Sequence, residues 1–290
     1  MSEPQGSLPL IGSHAVVAGG LATGGLAYAE AVGAEAIQVF VSNPRGWAAG
    51  PGDRAEDAKL RDSPMPVYVH APYLINLGSA DQATAARSAD ALAHALRRGA
   101  DIGALGVIVH TGSAVGWDRD SALRQVAALL LPLLDSLGAD GPDLLLEPMA
   151  GQGQMLCAAA PDLEPYLEAL QRHPRAGICL DTCHLFGAGH DLAAPDGVDA
   201  VLTEARRAAG AGRIKLVHAN DSAAPVGSRR DRHAPIGDGS IGSKAFAALL
   251  AHPLMAGLPF IAETPGGKAG HARDIATLKD LRTAAGPGAV

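Results

Sequence analysis

Thiols are scarce in this 290-residue chain: its three cysteines, Cys157, Cys179 and Cys183, form no CxxC pair and are too few and too irregular for a disulfide framework. Thiolate zinc and dithiol redox chemistry are set aside, and the three read as small buried side chains. No apolar run reaches the roughly 18 residues of a membrane span, and the start MSEPQGSLPLIG lacks the basic residues and apolar core of a secretory signal. A cytoplasmic protein with no membrane partner is the expectation. No linker, low-complexity tract or shift of composition marks a domain boundary, and no Ser or Cys stands beside an evident activating base. Nor is there a surplus of basic residues. A formal charge of −7 on its face disfavours a polyanionic partner.

What is present is a globular composition, 48% hydrophobic and evenly spread. Apolar runs of strand length recur, each bounded by Gly, Pro or polar residues: His14–Ala18, Ala36–Ser42, Pro66–Ala71, Gly106–Thr111, Leu144–Pro148, Ala176–Thr182, Ile214–Asn220 and Pro259–Thr264. Helical spacing appears between them, over Ala80–Arg98, Asp120–Ser136, Leu163–His173, Val198–Ala209, Ser243–Ala251 and Ala272–Ala284, with a shorter polar segment at Asp53–Asp62. Eight apolar strands alternating with helices predict a parallel sheet closed into a (β/α)8 TIM barrel. The expectation is one domain over residues 1–290, with 1–12 and 286–290 as flexible ends.

Polar residues fall at particular places in this pattern. Metal-type side chains stand at the ends of six successive predicted strands: His70 after VYV, His110 after VIV, Glu147 after LLL, Asp181 and His184 in ICLDTCH, His218 after KLV, and Glu263 after FIA. A barrel carries its active site at the C-terminal ends of its strands. Carboxylates and imidazoles delivered to one crater would repel or stay unpaired unless cations held them. The loop GSRRDRHAPIGDG adds Asp231 and His233, whose i, i+2 spacing in extended chain turns both side chains the same way. Five imidazoles and four carboxylates without thiolate suit zinc, manganese or iron with open coordination positions. Nine ligands exceed the needs of one metal, and three metals with one bridging carboxylate is the economical partition. Three divalent ions would bring the formal −7 to about −1, so part of the acidity reports the ligands and the objection to a phosphate substrate weakens.

At these residues the chain resembles the endonuclease IV family of apurinic/apyrimidinic endonucleases. Matching segments include GSHAVVAGGL, VFVSNPRGW, HAPYLINLGS, IVHTGS, EPMAGQG, GICLDTCHLFGAGHDL, KLVHANDS, GSRRDRHAPIGDGSIG and AETPG, of which DTCH and the GSRxDRH loop are the most specific. The resemblance implies a barrel with three Zn2+ ions, Mn2+ or Fe2+ being alternatives, that hydrolyses the phosphodiester 5′ to an abasic site and leaves a 3′-OH. Carried over by residue, His70, His110 and Glu147 would hold one metal. Glu147 would bridge to a second held with Asp181, His218 and Glu263, and His184, Asp231 and His233 would hold the third. Glu147, Asp181 and Glu263 would share the catalytic work, around a metal-lowered hydroxide as nucleophile.

The resemblance further implies a monomer acting on double-stranded DNA with abasic sites or blocked 3′ ends. Contacts would come from Asn43, Arg45 and Trp47, from Tyr73 and Leu74, and from Arg230 and Arg232; wedging side chains suit an abasic nucleotide, which has no base to unstack. The chain departs from the family pattern at Gly46, Thr111, Pro148, Met149 and Ala234. Asn220 and Asp221 fit either a supporting role behind the ligands or a turn, and His14 is a candidate supporting histidine. A sugar isomerase or epimerase of the related xylose-isomerase-like barrels is the competing reading. Such enzymes use one or two metals, so Asp231 and His233 distinguish the two.

Overall fold

The computed structural model of the chain describes residues 7–285. The first six and last five residues of the expected flexible ends lie outside the described residues. Eight parallel strands close a barrel: β1 (Leu10–His14), β2 (Ile37–Val39), β3 (Val67–His70), β4 (Gly106–His110), β5 (Asp143–Glu147), β6 (Ala176–Asp181), β7 (Ile214–His218) and, after a small ribbon of β8 (Asp221–Ser222) and β9 (His233–Ala234), β10 (Pro259–Ala262). β10 pairs with both β7 and β1 to complete the circle. Helices α1 (Leu21–Val32), α2 (Arg54–Arg61), α3 (Gln82–Asp101), α4 (Arg119–Asp135), α5 (Leu163–Ala169), α6 (Thr182–Ala188), α7 (Gly197–Ala209), α8 (Gly242–Ala251) and α9 (Gly267–Ala285) follow in alternation. Among the described residues no helix is long and apolar enough to cross a membrane.

Several helices start where the sequence supplies acceptors for their free N–H groups. Asp53, Asp81 and Asp118 cap α2, α3 and α4. α1 begins after Gly20 with no side-chain cap of its own, and Glu56 of α2 reaches across to accept from Ala22 and Thr23 N–H at 2.8 and 2.7 Å. The short polar segment before residue 62 is thus a real helix, and its acidic first turn also finishes its neighbour.

Most of the core lies between strands and helices, where side chains such as Ile11, Leu92, Leu130, Leu144, Ile178 and Phe246 are buried. A second, separate layer fills the barrel lumen: Ala36, Tyr68, Ile108, Leu145, Cys179, Leu216 and Ile261. Strand side chains alternate with period 2, so the residues two further along project into the lumen one layer higher. Those residues are Gln38, His70, His110, Glu147, Asp181, His218 and Glu263. A plug of apolar groups is therefore the floor, and a ring of polar groups the next storey.

The first strand lies four residues earlier than the sequence pattern predicts. Leu10–His14 pairs with β10 and β2, whereas Ala15–Ala18, the more apolar run, is the turn that leads to α1, with Val16 56% exposed. Residues 10–12, expected in the flexible end, are barrel strand. Gly12 is required there, because a Cβ would lie 2.1 Å from the Ala36 carbonyl oxygen.

Candidate metal centre

Each of the nine candidate ligands sits at, or just beyond, the C-terminal end of a strand or in the loop after β7. β6 shows how local sequence places two of them. Asp181 ends the strand and caps α6, one carboxylate oxygen accepting from His184 N–H at 2.8 Å, so the first turn of the helix brings His184 back over the barrel mouth. Gly189 ends α6 in a left-handed conformation after two turns. Asp231 and His233 arrive from the loop after the neighbouring strand β7, His233 fixed by the β8–β9 ribbon.

Among the described residues five overlapping groups have donor atoms within 4.8 Å of one another; three are the expected sets, His70, His110 and Glu147; Asp181, His218 and Glu263; and His184, Asp231 and His233, and the other two, Asp181, Cys183 and His233, and Glu147, Asp181 and His184, link them. Glu147 joins the first two. Its Oε2 lies 3.3 Å from His70 Nε2 and 3.5 Å from His110 Nε2, while Oε1 lies 3.0 Å from His218 Nδ1. In the third group Asp231 faces His184 Nε2 at 3.3 Å and His233 Nε2 at 3.1 Å.

The rings are oriented by their other nitrogens. His70, His184 and His233 each turn Nδ1 to a backbone carbonyl, of Ala71, Pro148 and Glu263 respectively, at 2.6, 3.0 and 3.2 Å. Donation from Nδ1–H leaves the Nε2 lone pair facing the crater, the arrangement that suits metal ligation. His184 Nε2, His233 Nε2 and Glu147 Oε2 are buried and make no hydrogen bond. Buried polar atoms left without a partner are costly in a protein interior, and divalent cations are partners that satisfy both imidazole and carboxylate.

The electrostatics carry the same requirement. Burial opposes ionisation of Glu147, Glu263 and Asp231, yet the surrounding histidines overcome it and hold all three below the usual carboxylate range. Burial also opposes protonation of His184 and His233, and the facing carboxylates, Asp181 and Asp231 foremost, override it and raise them to about 10 and about 9. Burial lowers His110 to about 4. Carboxylates this deep need positive charge beside them, supplied by protons on imidazole or by metal ions in their place.

Sequence reasoning passed over Gln38, which lies in the polar storey of the lumen, fully buried, between His14, His218 and Glu263. Its signal was present: it is the one polar residue of β2, two positions beyond lumen-filling Ala36. Asn220 proves to be a supporting residue, donating to Asp181 Oδ2 at 2.7 Å while its own oxygen accepts from Glu263 N–H. Asp221 has the other role left open, gathering the backbone N–H groups of Gly237, Gly239, Ile241 and Gly242.

The departures from the family pattern are absorbed locally. Pro148 serves His184 through its carbonyl oxygen, for which the side chain is immaterial. Met149 is buried, and Thr111 donates its N–H to Glu147 O and its hydroxyl to Cys157 O. Gly46 lies against Asn43, and Ala234 is buried in the ribbon.

The predicted DNA contacts come from the loops after β2, β3 and β7. Asn43, Arg45 and Trp47 follow β2 and Tyr73 and Leu74 follow β3; Trp47, Tyr73 and Leu74 are exposed. The two loops are joined by Tyr73 N–H donating to Pro44 O, and the Tyr73 ring lies 5.6 Å from His110 and 5.2 Å from His70. Arg230 and Arg232 flank Asp231 in the loop after β7.

Comparison with known proteins agrees with this geometry. Residues 26–281 match the family model described as xylose isomerase-like TIM barrel. A Streptomyces avermitilis protein named "Probable endonuclease 4" is 55% identical over 94% of this chain and 90% of its own length. The crystal structure of endonuclease IV from Thermus thermophilus superposes with a TM-score of 0.83 at 31% identity, covering 95% of this chain and 100% of that one. A structure of L-ribulose 3-epimerase shares the fold at a TM-score of 0.69 and 21% identity, over 96% and 97% of the two chains. The chain therefore belongs to the endonuclease IV family of xylose isomerase-like TIM barrels, a family of nucleases.

Proposed function

We propose that this protein is a DNA-repair endonuclease that hydrolyses the phosphodiester on the 5′ side of abasic sites and leaves a 3′-OH. The observation that carries the reading is the convergence of nine side chains into three adjoining donor groups, the third built from His184, Asp231 and His233. His70, His110 and Glu147 would hold one zinc ion; Glu147 with Asp181, His218 and Glu263 a second; and His184, Asp231 and His233 a third, with Mn2+ or Fe2+ as workable replacements. Bound there, such ions would supply Lewis acidity to a phosphate and lower the pKa of water.

The chain's own groups have separate tasks. Glu147 presents one oxygen to each of two donor groups and so fixes their spacing. Asn220 holds Asp181 and Glu263 in register, and the apolar floor of Tyr68, Ile108, Leu145 and Leu216 closes the lumen beneath them. Trp47, Tyr73 and Leu74 would wedge into the stack beside the lesion, with Arg45, Arg230, Arg232 and Asn43 on phosphates. The protein would work as a monomeric single-domain barrel in the cytoplasm, where its three free, buried cysteines stay reduced.

Incision of a duplex carrying one tetrahydrofuran site tests this directly. One nick 5′ to the lesion, a 3′ end that a polymerase extends, and loss of nicking on chelation are expected. Chelator-resistant incision, or tight metal loading with no nick, would overturn the proposal, the latter pointing to the isomerase chemistry of the related barrels.

A further inference from the structure

His218 differs from the other oriented imidazoles in which nitrogen it turns to the crater. His70, His184 and His233 are each held at Nδ1 by a backbone carbonyl and present Nε2. His218 presents Nδ1, which lies 3.0 Å from Glu147 Oε1, 3.4 Å from Glu263 Oε2 and 3.9 Å from Asp181 Oδ2. Its Nε2 points back across the lumen, to Gln38 Oε1 at 2.8 Å. Neutral imidazole carries one N–H, and whichever nitrogen carries it cannot ligate.

The orientation of the Gln38 amide is fixed by its other contacts. Its Nε2 donates to Glu263 Oε1 at 2.6 Å and to His14 Nδ1 at 3.0 Å. Turning the amide over would set its oxygen against a carboxylate oxygen, two acceptors face to face. Gln38 is completely buried, so water cannot compensate. The Glu263 carboxylate thus dictates that the amide oxygen faces His218, and the oxygen dictates that His218 keeps its proton on Nε2.

We infer that Gln38 is a positioning residue of the metal centre: it locks His218 in the Nε2–H tautomer, with Nδ1 free to ligate, and aligns Glu263 in the same group. His14 steadies the amide from β1. This inference rests on the proposed metal-binding reading and adds to it the residue that prepares one donor group from across the barrel.

The test is metal binding and ring spectroscopy on the zinc-loaded full chain. Gln38→Met keeps the volume without the hydrogen bonds, and Gln38→Leu is a second apolar variant should the first fail to fold. Titration against a calibrated chelator should show one metal equivalent weakened about 10–100-fold, as loss of outer partners typically does, while the remaining equivalents are unchanged. Nitrogen-15 shifts of His218, assigned with His218→Asn, should change from Nε2–H to a mixed pattern. Wild-type affinity and an unaltered His218 tautomer in the apolar variant would overturn the role of Gln38. A wild-type chain that binds no divalent ion would instead overturn the metal reading beneath it.

Discussion

His184 Nε2 and Asp231 Oδ2 face each other at 3.3 Å, one from the first turn of α6 and the other from the loop after the adjacent strand β7. Neither belongs to the polar ring that the strands themselves build, so this contact extends the centre beyond what the barrel ends supply. With His233 they make the donor group that a one- or two-metal barrel enzyme does not need.

Asp231→Asn keeps the size of the side chain and removes its charge. Elemental analysis should find about one metal fewer per chain, and incision of an abasic duplex should fall on the order of 100-fold or more, because the lost cation would neutralise charge developing on phosphate. Full metal content with full activity would remove the third group from the mechanism.

Arg230 and Arg232 flank the same carboxylate. If each meets a backbone phosphate, Arg230→Ala and Arg232→Ala should each weaken duplex binding and lower the slope of log affinity against log salt by about one. Trp47→Ala should raise the dissociation constant by about tenfold without altering metal content or the salt slope. Anisotropy titrations across a salt series separate the two kinds of contact.

Gly12 probes the placement of β1. A Cβ there would overlap the Ala36 carbonyl and press on the Ile261 side chain. Gly12→Ala should cost at least about 1–3 kcal/mol in urea unfolding, as overpacking does in a rigid core. A neutral substitution would return the segment to the flexible end that the sequence pattern suggests.

Glu35 tests the electrostatics far from the crater. Burial disfavours its ionised form, but Arg282 at 2.7 and 3.0 Å, the Ile11 N–H and Lys279 overcome this and lower its carboxyl to about 2. A carboxyl whose folded value lies below its unfolded one, about 4.3, stabilises the protein above the unfolded value. That stabilisation fades as pH falls towards 2. Glu35→Gln should therefore cost on the order of 1 kcal/mol at pH 7, the pair being partly solvent-screened, and the difference from wild type should shrink steadily between about pH 4.5 and pH 2. Incision at neutral pH should be unaffected.

The barrel and its candidate ligands were legible for one reason: apolar runs that end in His, Asp or Glu mark both the strands and the candidate site. His70, His110, Glu147, Asp181, His218 and Glu263 all sit two residues beyond a lumen-filling side chain. The same offset identifies Gln38 beyond Ala36, but an uncharged amide inside an apolar run gives no metal signal, and only the fold reveals three polar partners around it. β1 was displaced because hydrophobicity alone favours AVVA over LIGSH. The Gly-containing strand is the buried one, since it is Gly12 that lets the neighbouring strand and the lumen pack closely. α6 is two turns long and depends on the Asp181 cap and Gly189, too short for periodicity to announce. The two roles of Asn220 and Asp221 differ only in direction, which strand register decides.

The most direct test of the central claim is anomalous scattering at the zinc edge from crystals of the zinc-loaded chain. Three peaks in the crater are predicted, one among His70, His110 and Glu147, one among Asp181, His218 and Glu263, and one among His184, Asp231 and His233. A single peak or a pair, with Asp231 and His233 free of metal, would contradict it.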